Sequence, residues 1–207
     1  MTAAGVTTVV FDLGGVLIDW SPYHLYRGLM VDEAEIDAFL EEIGFSAWNA
    51  QLDAGRSWPA AVEDLATRYP HRRALIEAFH ARWSETLGEA IHGTVDILRE
   101  LLDAGVRVIA LSNWAADTFP QALERFAFLG WFEGIVISGE VGVGKPDPRI
   151  FEALLTRFGL DAADAVFVDD SPANVAAAAR LGFHALPFSS PDDFRAELVA
   201  LGLLPAR

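Results

Sequence analysis

The chain has 207 residues, with 30 acidic against 15 basic side chains, a formal net charge of −15, and 52% hydrophobic residues. The hydrophobic share excludes a disordered chain, and the acid excess argues against nucleic acid and polybasic membrane contact, both of which need clustered Lys and Arg. With no cysteine there is no disulfide framework, no thiolate metal site and no Cys nucleophile.

In chain order, Met1–Gly5 carries no basic segment followed by an apolar run, so no secretory leader is expected. No stretch reaches the roughly 18 apolar residues of a spanning helix, so the expectation is a soluble, cytoplasmic protein. Thr8–Asp12 is the first short apolar run. Residues 21–89 then contain helical patterns only: Asp32–Ile43, Phe45–Asp53, Ser57–Tyr69 and Arg72–Leu87, punctuated by Gly44, Gly55 and Pro70. A strand-free block of about 70 residues is too long for an ordinary crossover. The spacing therefore predicts a helical cap at 21–89, inserted into a discontinuous core of 1–20 and 90–207. Thr94–Ala104 is amphipathic and stops at Gly105. Arg107–Ser112, Gly134–Ser138, Ala165–Asp169 and His184–Phe188 are nearly continuous apolar runs, as in strands buried on both faces of a parallel sheet. Pro187 implies that the last run lies at an edge or ends early. Pro146-Asp147-Pro148 delays any helix there. Ser171-Pro172 and Ser190-Pro191 each read as an N-cap followed by Pro at the first helical position. Strands alternating with helices predict a doubly wound, Rossmann-like α/β fold with a mostly parallel sheet in a three-layer sandwich.

An open parallel sheet binds ligands beyond the carboxyl ends of its strands. The polar residues there are Asp12, Ser112, Asp169 and Asp170, and Lys145 follows the third run in a Gly-rich loop. An Asp closing an apolar strand is costly unless it is paired or metal-bound. The set points to a hard cation held by oxygen ligands beside a bound anion. Net acidity does not forbid that anion, because a site needs only a local positive field. Phosphate fits best: Mg²⁺ would screen its repulsion from a carboxylate, and Ser112, nearby backbone N–H groups and Lys145 would hold its oxygens. Asp12 would then attack phosphorus and form an aspartyl-phosphate. Gly139–Lys145 also reads G-x-x-x-x-G-K, but Pro146 stands where a P-loop needs Ser or Thr, so a nucleotide cradle is rejected. Trp48, Asn49 and Asp53 of the cap, and Trp114, are candidates to face a substrate, with packing the default for each Trp.

Phe11-Asp12-Leu13-Gly14-Gly15-Val16-Leu17, Leu111-Ser112-Asn113, Gly144-Lys145-Pro146-Asp147-Pro148 and Val168-Asp169-Asp170-Ser171 resemble, in order and spacing, the four motifs of the haloacid dehalogenase-like (HAD) hydrolase superfamily. The cap between the first two resembles the helical C1 cap of its subfamily I. The resemblance implies that Asp12 is the nucleophile and a Mg²⁺ ligand, with the Gly14 carbonyl and Asp170 as further ligands and Asp169 nearby. Ser112 and Lys145 would hold the phosphoryl group, with contacts from Asn113 and the backbone at Gly14 and Gly15. The expected substrate is a small phosphorylated metabolite, cleaved as a phosphomonoester by a monomer or homodimer with no nucleic-acid or membrane partner. One position departs from the pattern. Phosphatases of this superfamily usually carry a second Asp, the acid and base, two residues after the nucleophile, and Gly14 stands there. Asp19 is a candidate substitute. The Asp-Leu-Gly-x-Val form also resembles a branch that includes sugar-1-phosphate phosphatases. Two alternatives remain open. Gly14 motivates a non-catalytic protein that binds a phosphorylated ligand for regulation. A 2-haloacid dehalogenase also lacks the second Asp, but its fourth motif resembles Ser-Ser-Asn rather than Asp169-Asp170.

Overall fold

Among residues 5–206, which the computed structural model describes, the chain forms seven strands. They are β1 (Thr8–Phe11), β2 (Ile18–Trp20), β3 (Leu87–Ala90), β4 (Arg107–Ser112), β5 (Ile135–Ile137), β6 (Ala165–Asp169) and β7 (His184–Pro187). Five of them make one parallel sheet in the order β5-β4-β1-β6-β7. Strand β1 is central and wholly buried, and β7, which ends at Pro187, is an edge. Side-chain alternation splits the sheet's interior into two cores. Val9, Phe11, Val108, Ala110, Val166 and Val168 face one, while Val10, Ile109, Leu111 and Phe167 face the other.

The helices between β2 and β3, in the segment expected to be a cap, are α1 (Pro22–Tyr26), α2 (Glu33–Glu42), α3 (Phe45–Asp53), α4 (Trp58–Arg68) and α5 (Arg73–Ala81). Those that follow are α6 (His92–Asp103), α7 (Phe119–Arg125), α8 (Ser138–Val141), α9 (Pro148–Phe158), α10 (Pro172–Arg180) and α11 (Pro191–Ala200). Helices α6 and α11 bring Leu98, Leu101, Phe194 and Leu198 to the first core. Helices α9 and α10 bring Ile150, Phe151, Leu154 and Ala178 to the second. The result is a three-layer α/β sandwich. The cap has its own aromatic centre, where Tyr26, Phe39, Phe45, Trp48, Trp58 and Phe79 pack ring on ring. Each such buried ring contributes roughly 2–3 kcal/mol.

Two sequence expectations need correction. The block 21–89 is not free of strand: β3 pairs antiparallel with β2 and forms a two-stranded stem. Ser21 N–H bonds to the Thr86 carbonyl and Ile91 N–H to that of Leu17, each at 2.9 Å, so partner pairing overrides a segment with poor strand propensity. The helix expected over Arg72–Leu87 accordingly stops at Ala81 and gives way to a 3₁₀ turn, Trp83–Thr86. Pro146-Asp147-Pro148 holds the next helix back to Pro148, as expected. Asp147 is the N-cap of α9, its side chain accepting the Arg149 N–H at 2.9 Å, and Pro148 occupies the first turn.

Among the described residues no helix is long and apolar enough to cross a membrane. The leader reading rests mainly on residues 1–4, which lie outside the described residues.

Candidate active site

Parallel register brings the polar strand ends together. Phe11 stands opposite Ala110 on one side and Val168 on the other. Asp12, Ser112, Asp169 and Asp170 therefore emerge at one edge of the sheet. Lys145 arrives from the loop between α8 and α9 and is 5% exposed. Its ammonium lies 2.9 Å from Asp12 Oδ1, 2.6 Å from Asp169 Oδ2 and 2.8 Å from the Leu111 carbonyl oxygen. Three donors thus meet three acceptors, which a buried cation requires.

Asp169 is fully buried. Besides Lys145 it accepts the Ser171 N–H at 2.8 Å and the Asn174 amide at 3.0 and 3.1 Å. Its oxygens are already engaged, so its role in this geometry is to hold Lys145. Asn113 is similarly committed. Its Oδ1 accepts the Lys145 N–H at 2.7 Å and its Nδ2 donates to the Lys145 carbonyl at 2.9 Å. The side chain thereby clamps the backbone that carries Lys145, and Asn113 also lines the cavity. Gly144 allows this clamp, because a Cβ there would come within 2.8 Å of Asn113 Oδ1.

Asp12, Asp169 and Asp170 offer oxygens that all lie within 4.8 Å of one another. One ammonium cannot neutralise three carboxylates. Burial pushes the Asp12 carboxyl up to about 7, with Asp169 adding to the rise and Lys145 opposing it. The Asp170 carboxyl is raised by burial and by Asp169. Excess negative charge among hard oxygen donors fits a divalent cation such as Mg²⁺. The donors not otherwise filled are on Asp12 and Asp170, with the Gly14 peptide beside them at the cavity wall. Gly15 has φ +74°, and a Cβ there would collide with the Asp170 carboxylate. Only glycine allows that approach.

Asp12, Gly14, Gly15, Ser112, Asn113, Lys145 and Asp170 line one cavity of about 270 Å³, and Asp169 sits behind its wall. Trp20, Asn49, Asp53, Trp83 and Trp114 close the other side. Asn49, Asp53 and Trp114 thus reach the cavity as the sequence suggested. Trp48 does not: it is buried in the cap, with Nε1 donating to the Ala61 carbonyl at 3.1 Å. Asp19 does not either. It is exposed, and its carboxylate lies 3.0 Å from His24 Nε2. The buried Trp114 Nε1 has no hydrogen-bond partner among the described residues.

Four contributors escaped the sequence reading: Trp20, Trp83, Asn174 and Ser138. Trp20 and Trp83 belong to the stem region, whose strands the sequence concealed. Asn174 had a faint signal, a polar residue in the first turn of α10 just after the acid pair. Ser138 had a better one, since it closes the third apolar run as Ser112 closes the second. It is fully buried, and its hydroxyl accepts the Trp114 N–H at 2.8 Å and donates to the Asp53 carbonyl at 2.5 Å. This one side chain joins the cap to the loop after β4. The Asp53 carboxyl itself accepts the Ala115 N–H, and burial pushes it up to about 7.

Known proteins resemble this chain to differing extents. The chain is 30% identical over 174 residues to a sesquiterpene phosphatase of Aspergillus oryzae, covering 84% of this chain and 85% of that protein. It is 30% identical over 167 residues to a phosphoserine phosphatase of Thermus thermophilus, covering 72% and 66%. A magnesium complex of a HAD-family enzyme from Bacteroides thetaiotaomicron superposes with a TM-score of 0.72 at 24% identity, covering 94% of this chain and 98% of that one, a likeness of fold. The family model for haloacid dehalogenase-like hydrolases matches residues 6–182. The chain belongs to the haloacid dehalogenase-like hydrolases.

Proposed function

We propose that this hydrolase cleaves a small phosphorylated metabolite, as a phosphomonoester, through an aspartyl-phosphate at Asp12, with Mg²⁺ as cofactor. The observation that carries the reading is the paired site at the sheet edge. A surplus of carboxylate lies beside a buried ammonium and a strand-end serine, in a cavity closed by the cap. That is a place for a cation and a phosphate together. The phosphatase names of the two relatives favour the same ester. The helical cap between the first and second motifs supports the C1-capped branch, and Asp-Leu-Gly-x-Val supports the group that includes sugar-1-phosphate phosphatases.

Mg²⁺ would be held by Asp12, Asp170 and the Gly14 carbonyl, and when bound it offsets the repulsion between carboxylate and phosphoryl group. The chain's own groups do the rest. Leu13 N–H and Lys145 both bond to Asp12 Oδ1, at 2.7 and 2.9 Å, which leaves Oδ2 as the attacking atom. Lys145 favours the anionic form of Asp12 and orients it, and the Ser112 hydroxyl meets a phosphoryl oxygen from the end of β4. The new bond joins Oδ2 to phosphorus as the ester bond breaks. Water then attacks phosphorus and frees Asp12. The Trp walls exclude bulk water around this exchange, and the unpartnered Trp114 Nε1 suits a substrate with an acceptor oxygen.

Phosphate release from a panel of small esters tests the reading, with Mg²⁺ or chelator, on wild type and Asp12→Asn. Release that needs both Mg²⁺ and Asp12 is expected. Halide release from 2-haloacids, indifferent to chelator, would replace it with dehalogenation. Tight phosphate binding with no Asp12-dependent turnover would replace it with a binding role.

A further inference from the structure

Among the described residues three carboxylates line the cavity. Asp12 and Asp170 come from the sheet edge, and Asp53 comes from the cap. The first two have Lys145 and a cation site to account for them. Asp53 has neither. It is the last residue of α3, where the helix dipole disfavours an anion. Its carboxyl partners are neutral, the Asn49 amide at 2.9 Å and the Ala115 N–H. Several charged groups on the packed elements are engaged elsewhere. Glu140 of α8 pairs with Arg157, Asp64 of α4 with Arg56 and Arg68, and Glu42 of α2 with His71 and Arg72. An acid held in a cavity with no cation beside it is stable there in its protonated form. The carboxyl value of about 7 agrees.

The position is also fixed. Ser138 holds the Asp53 carbonyl and Ala115 holds its carboxyl, so Asp53 is tied to the loop that begins at Ser112. At the same time the nucleophile loop offers no acid of its own. Gly14 has no side chain, and a Cβ built on it would meet only Trp20 Cβ, at 3.8 Å. Asp19 faces outward.

We propose that Asp53 is a catalytic residue, the acid that protonates the leaving oxygen of the substrate from the cap side of the cavity. The proposal rests on the phosphomonoester reading. As the Asp12 Oδ2–phosphorus bond forms, the bond from phosphorus to the ester oxygen breaks. The Asp53 proton passes to that oxygen and the alcohol leaves. The incoming water then gives one proton to the Asp53 carboxylate as its oxygen bonds to phosphorus. The phosphorus–Asp12 bond breaks, phosphate leaves, and both aspartates return to their starting states.

An alkoxide needs an acid to leave, whereas 4-nitrophenolate does not. First-turnover release of product from glycerol 2-phosphate and from 4-nitrophenyl phosphate separates the two cases, on Mg²⁺-loaded wild type and Asp53→Asn. The replacement amide's oxygen can still accept the Ala115 N–H, and an unchanged phosphate-binding constant verifies the folded site. Alcohol release is expected to slow by about 10²–10⁴-fold, with the nitrophenolate burst nearly unchanged. Combining Gly14→Asp with Asp53→Asn puts an acid back where the cavity has room, and is expected to restore alcohol release. Equal slowing of both esters would overturn the proposal and leave Asp53 a structural residue, and unchanged alcohol release would overturn it outright. If the wild type shows no Asp12-dependent release from either ester, the phosphomonoester reading fails and takes this proposal with it.

Discussion

Asp169 at the sheet edge and Asp53 in the cap are accommodated in opposite ways. At the edge, fully buried Asp169 gathers an ammonium, a backbone N–H and an amide, and its partner Lys145 has every proton accepted. In the cap, Asp53 sits among aromatic rings with neutral donors only. The first arrangement stabilises charge before a ligand arrives; the second stabilises a proton. A hydrolase of phosphate esters needs both, charge complementarity for the phosphoryl group and a proton for the group that leaves. The edge is built on hydrogen-bonded strands, so its geometry is rigid. The Ser138 hydroxyl joins the two sides, donating to the Asp53 carbonyl and accepting the Trp114 N–H.

The comparison breaks most visibly at Asp12. Asp12→Asn removes the nucleophile and is expected to lower phosphate release by about 10⁴-fold or more, with the protein still folded, as read by circular dichroism and the release assay together. Next comes the support beneath it. Asp169→Ala leaves Lys145 buried with one carboxylate and leaves the Asn174 amide unpaired. Breaking a buried ion pair from one side costs about 3 kcal/mol or more, measurable as a lowered urea midpoint with an unchanged slope. An equivalent loss at an exposed pair such as Arg27–Glu33 should be under about 1 kcal/mol.

The same contrast explains what could be read from residues alone. Strands buried on both faces announce themselves as continuous apolar runs, and a polar residue closing such a run is conspicuous. Asp12, Ser112 and Asp169 are therefore legible in the sequence, and so is the sheet that gathers them. Division of labour among them was not visible. Asp169 is expected near the cation and Asn113 near the phosphate, and their hydrogen bonds to Lys145 depend on long-range approach that the sequence does not display. The stem was hidden because Leu87-Gly88-Glu89-Ala90 has no strand character until β2 lies beside it. Helical periodicity in the cap marked buried positions but could not distinguish a cap core from a cavity wall. Trp48 and Asn49 are neighbours on one helix, yet only Asn49 lines the cavity.

Mg²⁺ sharpens the edge side of the comparison. The apo Asp12 carboxyl, near 7, holds a proton that an unfolded Asp has lost above its ordinary value of 3.8. A cation must displace that proton, so its affinity should rise as pH climbs from 5 to about 7 and then level off. Calorimetry at pH 6 in two buffers of different ionisation enthalpy should register proton release. At about 100 times the dissociation constant the metal should add about 2.7 kcal/mol of stability, read as a raised Tm that Asp12→Asn diminishes.

The smallest effect lies on the cap side and runs in the stabilising direction. Asp53 has a folded carboxyl value of about 7 against 3.8 for the ordinary group. The native state therefore binds the extra proton between those values, and the unfolded state does not. Its contribution is fully present below 3.8 and is lost as pH rises through 7. Above pH 7 the native protein must hold an anion among aromatic rings at a helix C-terminus. Asp53→Asn removes that burden, so at pH 8 the variant is expected to be more stable than wild type, by on the order of 1 kcal/mol, and the gap should close toward pH 5. Thermal unfolding at both pH values measures it. A residue kept only for packing would lose stability on substitution at every pH. A gain confined to high pH, together with selective loss on alkyl esters, is the signature of an acid retained for its proton at a cost to the fold.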